Sequence, residues 1–228
     1  MNNKYYTDYK GNYSMTMIKD RSRINNLEYL IKKYIAPKSN LLDIGCGDMY
    51  LSKLLPVYHW KGIDINVDLA PNGIKHDLSV LPYPFKNKAF DGAVCTEVME
   101  HLFKPELIYK EAMRLVKPGG IFIVSTPNFM HIDNYVSQFK LCKYNPNEDH
   151  SVEHIRHFDL ENHCIIALEY GFEAIDHLGS DPVASVVLKP LIIELVTSGM
   201  DVKEAEFIVS KGLPSYCPGV TIIFKKEK

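Results

Sequence analysis

The sequence predicts an α/β fold, a mostly parallel sheet with helices on both faces. Three observations predict it. A short apolar run, Leu41, Leu42 and Ile44, stops at Gly45 and Gly47 and passes at once into a helical pattern. Such runs then alternate with amphipathic stretches along the chain. The 228 residues, 46% hydrophobic and 24% charged, suffice for one α/β core of ordinary composition.

Residues 1–19 are polar and tyrosine-rich, with Tyr5, Tyr6, Tyr9 and Tyr13. Four aromatics favour an arm folding over a site against a disordered tail. From Asp20 to Ile35 apolar residues recur at helical spacing (Ile24, Leu27, Leu30, Ile31, Tyr34), and Pro37 ends the helix. A strand over 40–44 leads into a helix over 49–55, and Tyr58 to Ile65 forms the second strand. Gly73 to His76 is a short third strand, and Phe90 to Cys95 the fourth. Residues 105–116 form an amphipathic helix that Pro118-Gly119-Gly120 breaks, and Ile121 to Ser125 is the fifth strand. Strands alternating with helices imply parallel pairing through right-handed crossovers. A loop over 126–158 precedes a helix over 160–170, closed by Gly171. Phe172 to His177 is the sixth strand and Gly219 to Lys225 the last, with helical stretches at 183–198 and 201–211 between them.

Charge and cysteine use exclude several classes. The formal net charge is −2 and no Lys/Arg run occurs, so a nucleic-acid partner has no electrostatic footprint. Five cysteines, Cys46, Cys95, Cys142, Cys164 and Cys217, are scattered without a C-x-x-C pair. That argues against a disulfide scaffold or zinc ribbon and for a reducing cytoplasm. The first residues lack an apolar signal segment and no stretch is long enough for a membrane span.

Four segments resemble class I S-adenosylmethionine-dependent methyltransferases of the small-molecule branch, which includes quinone and sugar methyltransferases. They are Leu42-Asp-Ile-Gly-Cys-Gly47, Gly62-Ile-Asp64, the stretch Phe90 to His101 (FDGAVCTEVMEH) and Val116-Lys-Pro-Gly-Gly120. The resemblance covers residues 38–177 closely. It implies a Rossmann-like sheet of seven strands, the last antiparallel. The division expected is one domain over 1–228. Its parts are an arm and helix (1–37), a cofactor-binding core (38–178), a helical insertion (179–218) and the last strand (219–228).

Each segment also has a physical reading. Gly45 and Gly47, with Cys46 between them, let backbone lie against the methionine part of the cofactor. Asp43 can hold an amide or ammonium. Asp64 ends the second strand 19 residues after Gly45, where a carboxylate can accept both ribose hydroxyls. Ile65 flanks the adenine. The resemblance places Asp77 at the adenine amine and Leu78 against the ring. It lines the sulfonium and carboxypropyl arm with Cys95, Thr96 and Glu97. Glu100 and His101 match the family's Glu-His pair, read as a cap and loop anchor. The family commonly has a small residue where this chain has Met49, which crowds the turn or touches the cofactor.

His150, His154 and His157 follow at spacings that would stack them on one helical face. They are candidates for a general base in a polar acceptor pocket. Metal ligation and a plain polar loop are the competing readings, and no metal ligand is assigned. Arg156, within His154-Ile-Arg156-His-Phe158, and Asn128 are expected to line the acceptor side with the four N-terminal tyrosines. The apolar 183–198 stretch suits core packing first, then a homodimer contact or a lid. The implied reaction moves a methyl from S-adenosylmethionine to an oxygen or nitrogen of a small polar metabolite, a sugar or phosphorylated intermediate. A quinone or other apolar ring is the alternative acceptor. Two rival classes compete. A nicotinamide oxidoreductase would need a further glycine where Tyr50 stands. A non-catalytic binding protein on the same fold is the other.

Overall fold

The computed structural model describes residues 21–66, 72–134 and 154–227. The elements, in chain order, are α1 (Arg21–Tyr34), β1 (Asn40–Ile44), α2 (Tyr50–Leu54), β2 (His59–Asp64), β3 (Gly73–Lys75), β4 (Phe90–Thr96), a 3-10 turn (Met99–His101), α3 (Glu106–Leu115), β5 (Val116–Pro127), α4 (Leu160–Glu169), β6 (Phe172–Ser180), α5 (Lys189–Thr197), α6 (Val202–Gly212), a second 3-10 turn (Pro214–Tyr216) and β7 (Gly219–Lys226). The strands form one sheet in the order β3-β2-β1-β4-β5-β7-β6. All pairs are parallel up to β5, and β7 runs antiparallel to both β5 and β6. This is the seven-stranded mixed sheet that the resemblance implies.

The period of two along each strand builds two cores. Leu42, Ile44, Ala93, Cys95, Phe122, Val124, Ile222 and Phe224 face α3 and α4. Leu41, Val94, Ile121, Ile123 and Ile223 face α1 and α2. Burying one such aliphatic side chain contributes about 1.5–3 kcal/mol, so a strand with both faces covered must be apolar throughout. That is why β1, β4 and β5 read as continuous apolar runs. One polar residue inside the first core, His163, is matched on both ring nitrogens. His163 is fully buried, with Nδ1 2.6 Å from the Tyr109 hydroxyl and Nε2 2.9 Å from Thr126 Oγ1. Burial lowers its pKa to about 3, so the ring is neutral and ties α4 to α3 and β5.

Three expectations are corrected. β5 begins at Val116, not Ile121, because Pro118-Gly119-Gly120 runs on within the strand; Gly119 takes a positive φ of 75° and the register slips between Phe90 and Gly92. The helix expected over 183–198 starts only at Lys189, with Pro190 in its first turn. Before it, the Asp133 carboxylate accepts from the N–H groups of Val186 and Val187, both at 3.1 Å, and holds that stretch as turns. Third, His154 and His157 lie before α4 in non-helical chain, so they share no helical face.

α1 is fastened to the far edge of the sheet. Asp176 of β6 accepts from Lys33 Nζ at 2.8 Å, from the Tyr34 hydroxyl at 2.7 Å and from Lys211 of α6. These donors hold its carboxyl below the usual range against the opposing effect of burial. At the other end of α1, Ser22 and Arg23 meet Asp181, and Asn26 donates to the Gly179 carbonyl at 2.6 Å.

Candidate active site

The strand order reverses between β1 and β4, and ligand crevices of open α/β sheets form outside the carboxyl ends at such a point. β1 ends there in the Gly45-Cys46-Gly47 turn, with φ of 77° at Gly45 and 48° at Gly47. The turn is pinned from β2. Gly45 and Cys46 donate to the Ile63 carbonyl at 2.8 and 3.1 Å, and Gly47 donates to Asp64 Oδ2 at 3.0 Å. Asp64 Oδ1 accepts from Asn66 N–H at 2.8 Å. The two features read separately in the sequence are therefore one hydrogen-bonded unit.

Met49 does not enter the crevice. It adopts a left-handed φ of 60° and is buried in the core shared with α1. Its sulfur lies where a side chain on Gly62 would begin: a Cβ there would meet Met49 Sδ at 2.2 Å and Cys46 Sγ at 2.5 Å. Gly62 thus supplies the space that a small residue at position 49 would have left. The same contact sends the Cys46 side chain inward, so only the backbone of Cys46 is offered to a ligand.

Charge around the turn is acidic. Asp43 is buried in β1, and its pKa is pushed up to about 8, first by burial, then by the charges of Asp64 and Asp48. No cationic group among the described residues acts to lower it. Ile65 is half-buried beside Asp64. Asp77, two residues beyond β3, accepts from the Ser79 N–H at 2.9 Å and the Ser79 hydroxyl at 2.7 Å. Leu78 is buried, and its carbonyl accepts from the Tyr83 hydroxyl at 3.1 Å.

The other wall follows β4. The Cys95 side chain is fully buried in the core, so it does not line a sulfonium; only its backbone faces that way. Thr96 is buried at the strand end, and Glu97 takes a left-handed φ of 55°. The Glu97 carboxylate is engaged by the Ser125 hydroxyl at 2.9 Å and by Arg23 of α1. Val98 packs directly on Gly45, where a Cβ would meet it at 2.3 Å. Substitution at Gly45 is therefore opposed by both φ and space.

Residues expected on the acceptor side are dispersed. His150, Tyr5, Tyr6, Tyr9 and Tyr13 lie outside the described residues. Asn128 is buried, and its amide donates to the carbonyls of Ser215 and Cys217, both at 2.9 Å, so it clamps the start of β7 and presents no free amide to an acceptor. Arg156 donates to the Phe103 carbonyl at 2.8 Å, and the His157 ring packs on Phe129 with centroids 4.2 Å apart. Both line an open cleft of about 570 Å³ with Phe103, Glu106, Asn162 and Ile166, on the outer side of the 154–158 segment. None of the expected cofactor residues lines that cleft. His154 goes elsewhere, against His101 with ring centroids 5.0 Å apart. Sequence reasoning missed Arg23 and Val98. Arg23 acts across a long sequence separation without a local motif, and Val98, though inside the Phe90–His101 segment, gave no sign that it packs on Gly45.

Comparison with known proteins is consistent with this geometry. The profile of a methyltransferase-domain family matches residues 19–177. A ubiquinone biosynthesis O-methyltransferase of Xylella fastidiosa (strain M23) is 31% identical over 121 residues, covering 45% of this chain and 47% of that protein. The chain spans about half the length of the curated relatives it matches. Among solved structures, a SAM-dependent methyltransferase of Archaeoglobus fulgidus aligns with a TM-score of 0.59 at 18% identity, covering 95% of this chain and 100% of that one. The [4+2]-cyclase SpnF aligns with a TM-score of 0.58 at 18% identity, covering 90% and 80%. These two likenesses show the fold alone.

Proposed function

The chain belongs to the S-adenosylmethionine-dependent methyltransferase family, and from that premise we propose that it methylates an oxygen of a small polar metabolite. The observation that carries the cofactor part of the reading is the acidic glycine turn; the polar acceptor rests on the histidines and Arg156 around residues 150–157 of the sequence. Asp43, Asp48 and Asp64 gather at the end of β1; Lys53 reaches Asp48 at 3.1 Å, and among the described residues no lysine or arginine offsets the buried Asp43. A crevice of that charge suits a ligand that is itself cationic, and the family's cofactor carries an ammonium and a sulfonium.

The residues present fit such a group. Asp64, already accepting two N–H groups, stands at the strand end where ribose hydroxyls are held. Gly45 and Gly47 keep the backbone open to a close approach. Ile65 and Leu78 offer apolar faces for a purine, and Asp77 an acceptor for its amine. When bound, S-adenosylmethionine supplies a methyl already activated on sulfur. The protein's work is to align the acceptor and exclude water; good alignment is worth roughly 7–11 kcal/mol. His154, at the β4 side of the crevice, is the histidine placed to take a proton from an acceptor hydroxyl. α1 starts beside the crevice, because Arg23 pairs with Glu97. That entry point supports the reading of Tyr5, Tyr6, Tyr9 and Tyr13 as an arm over the acceptor.

A second acceptor class, a quinone or related apolar ring, is favoured by the name of the Xylella relative. Radiolabelled methyl transfer from S-adenosylmethionine to two acceptor panels, hydroxylated sugars and their phosphates against polyhydroxylated aromatics, separates the two. Turnover confined to the aromatic panel overturns the polar-metabolite reading. Cofactor binding without turnover on either panel supports the non-catalytic alternative.

A further inference from the structure

Three side chains at the crevice wall form a constellation of which the methyl-transfer reading uses only His154, as a base; a cation held there would replace it in activating an acceptor hydroxyl. Glu100 and His101 belong to the 3-10 turn that follows β4, and His154 precedes α4. One ligand atom from each, a carboxylate oxygen and two imidazole nitrogens, lies within 4.8 Å of the others. His101 Nε2 is 3.8 Å from Glu100 Oε1.

Two further observations point to a missing ligand. Glu100 is 2% exposed, and among the described residues neither of its carboxylate oxygens has a hydrogen-bond partner. Buried carboxylates are ordinarily paired, hydrogen-bonded or bound to metal, because an uncompensated one is costly. Arg23 is committed to Glu97 and Asp181. The second observation is preorganisation. The Glu100 carbonyl accepts from the N–H groups of both Ile155 and Arg156, at 2.9 and 3.1 Å. Those bonds fasten the chain beside His154 to the turn that carries the other two groups.

We propose that Glu100, His101 and His154 form a binding site for one divalent transition-metal cation. Two imidazoles and one carboxylate suit Co²⁺, Mn²⁺, Fe²⁺ or Zn²⁺; Mg²⁺ and Ca²⁺ favour all-oxygen sets. Three protein ligands leave coordination positions open. Neighbouring ligand atoms around a cation bonded at about 2.0–2.2 Å lie roughly 3–3.5 Å apart, so the set closes on the ion by small rotations of the imidazoles. The 3-10 turn begins directly after Val98, which packs on Gly45, so the three ligands stand beside the glycine turn. There the cation would hold an acceptor through an oxygen. That role rests on the proposed function; the binding of the cation does not.

Calorimetric titration of the full chain with Co²⁺, without cofactor or acceptor, tests the site, with visible absorption to follow coordination. The expected result is one Co²⁺ per chain, with affinity lowered by ~100-fold or more in both Glu100→Gln and His154→Ala, beyond what loss of an outer-shell partner costs. His59→Ala, at the exposed start of β2 and the opposite end of the sheet, should bind as the parent does. His154 is only partly buried, so its variant keeps the test informative if Glu100→Gln fails to fold. Absence of stoichiometric binding overturns the proposal, and so does binding that survives His154→Ala. Titration with S-adenosylhomocysteine in the same samples separates the two readings. Cofactor binding without Co²⁺ binding removes the cation site alone, and Co²⁺ binding without cofactor binding removes the cofactor reading alone.

Discussion

Asp43 should release a proton when a cationic cofactor binds. Its carboxyl is buried beside Asp64 and Asp48, and its pKa stands near 8 against an ordinary 3.8. At pH 7 a group with that pKa is about 90% protonated. An ammonium or sulfonium brought alongside favours the carboxylate, so binding S-adenosylmethionine at pH 7 should expel about 0.9 proton from this group. Calorimetry in buffers of different ionisation enthalpy reads that number directly. Asp43→Asn preserves shape and removes the titration, so the buffer-dependent heat should fall by that amount. The free protein carries the same signature. Because the folded pKa is raised, the stability of the neutral side chain is fully present below about pH 4 and is lost as pH rises through about 8. Each pKa unit is about 1.4 kcal/mol, so the loss has a ceiling of about 6 kcal/mol, reduced by any relaxation around the charge. Asp43→Asn should therefore come closest to the parent in denaturant at about pH 4 and below, and exceed it by a margin that grows up to pH 8. Equal buffer dependence in parent and variant, or a stability gap that does not grow with pH, would refute the reasoning.

Other outcomes follow from packing and pairing. Gly62→Ala drives a Cβ into Met49 and Cys46 and should cost about 1–3 kcal/mol in urea unfolding; adding Met49→Ala should recover part of that loss. His163→Phe leaves the Tyr109 and Thr126 hydroxyls buried without their shared partner, at about 1–3 kcal/mol for each unsatisfied group. Asp176 works in the opposite sense to Asp43. Its depressed pKa contributes stability above about pH 4 that is lost as pH falls. Chemical denaturation at pH 7 and pH 3 should show Asp176→Asn costing most at pH 7 and less, though still a measurable amount, at pH 3, because the folded carboxyl stays ionised there.

The fold was legible because its strands are covered on both faces. β1 falls on residues 40–44 as its apolar run and glycine turn indicate, and β2, β4 and α3 lie within a residue or two of their patterns. Errors arose where local chemistry was overridden at a distance. Pro118-Gly119-Gly120 signals a turn, yet pairing with β4 carries those residues into a strand by a slip in register. His154 and His157 have helical spacing, but the Glu100 carbonyl draws in the N–H groups of Ile155 and Arg156 between them and the chain there is not helical. At the site, the glycine turn at Gly45 and Gly47 and the strand end at Asp64 could be located because both are local features. The direction of a side chain could not. Cys46, Met49 and Cys95 all turn inward for reasons supplied by Gly62 and by the sheet. Asn128 looked free in a polar loop and is consumed by two carbonyls about ninety residues away.

The most direct test of the account is calorimetric titration of S-adenosylhomocysteine into the parent chain and into Asp64→Ala. Binding of one ligand per chain, severely weakened by that single substitution, is the predicted result. No binding to the parent, or undiminished affinity in Asp64→Ala, would contradict the placement of the cofactor between β1 and β2.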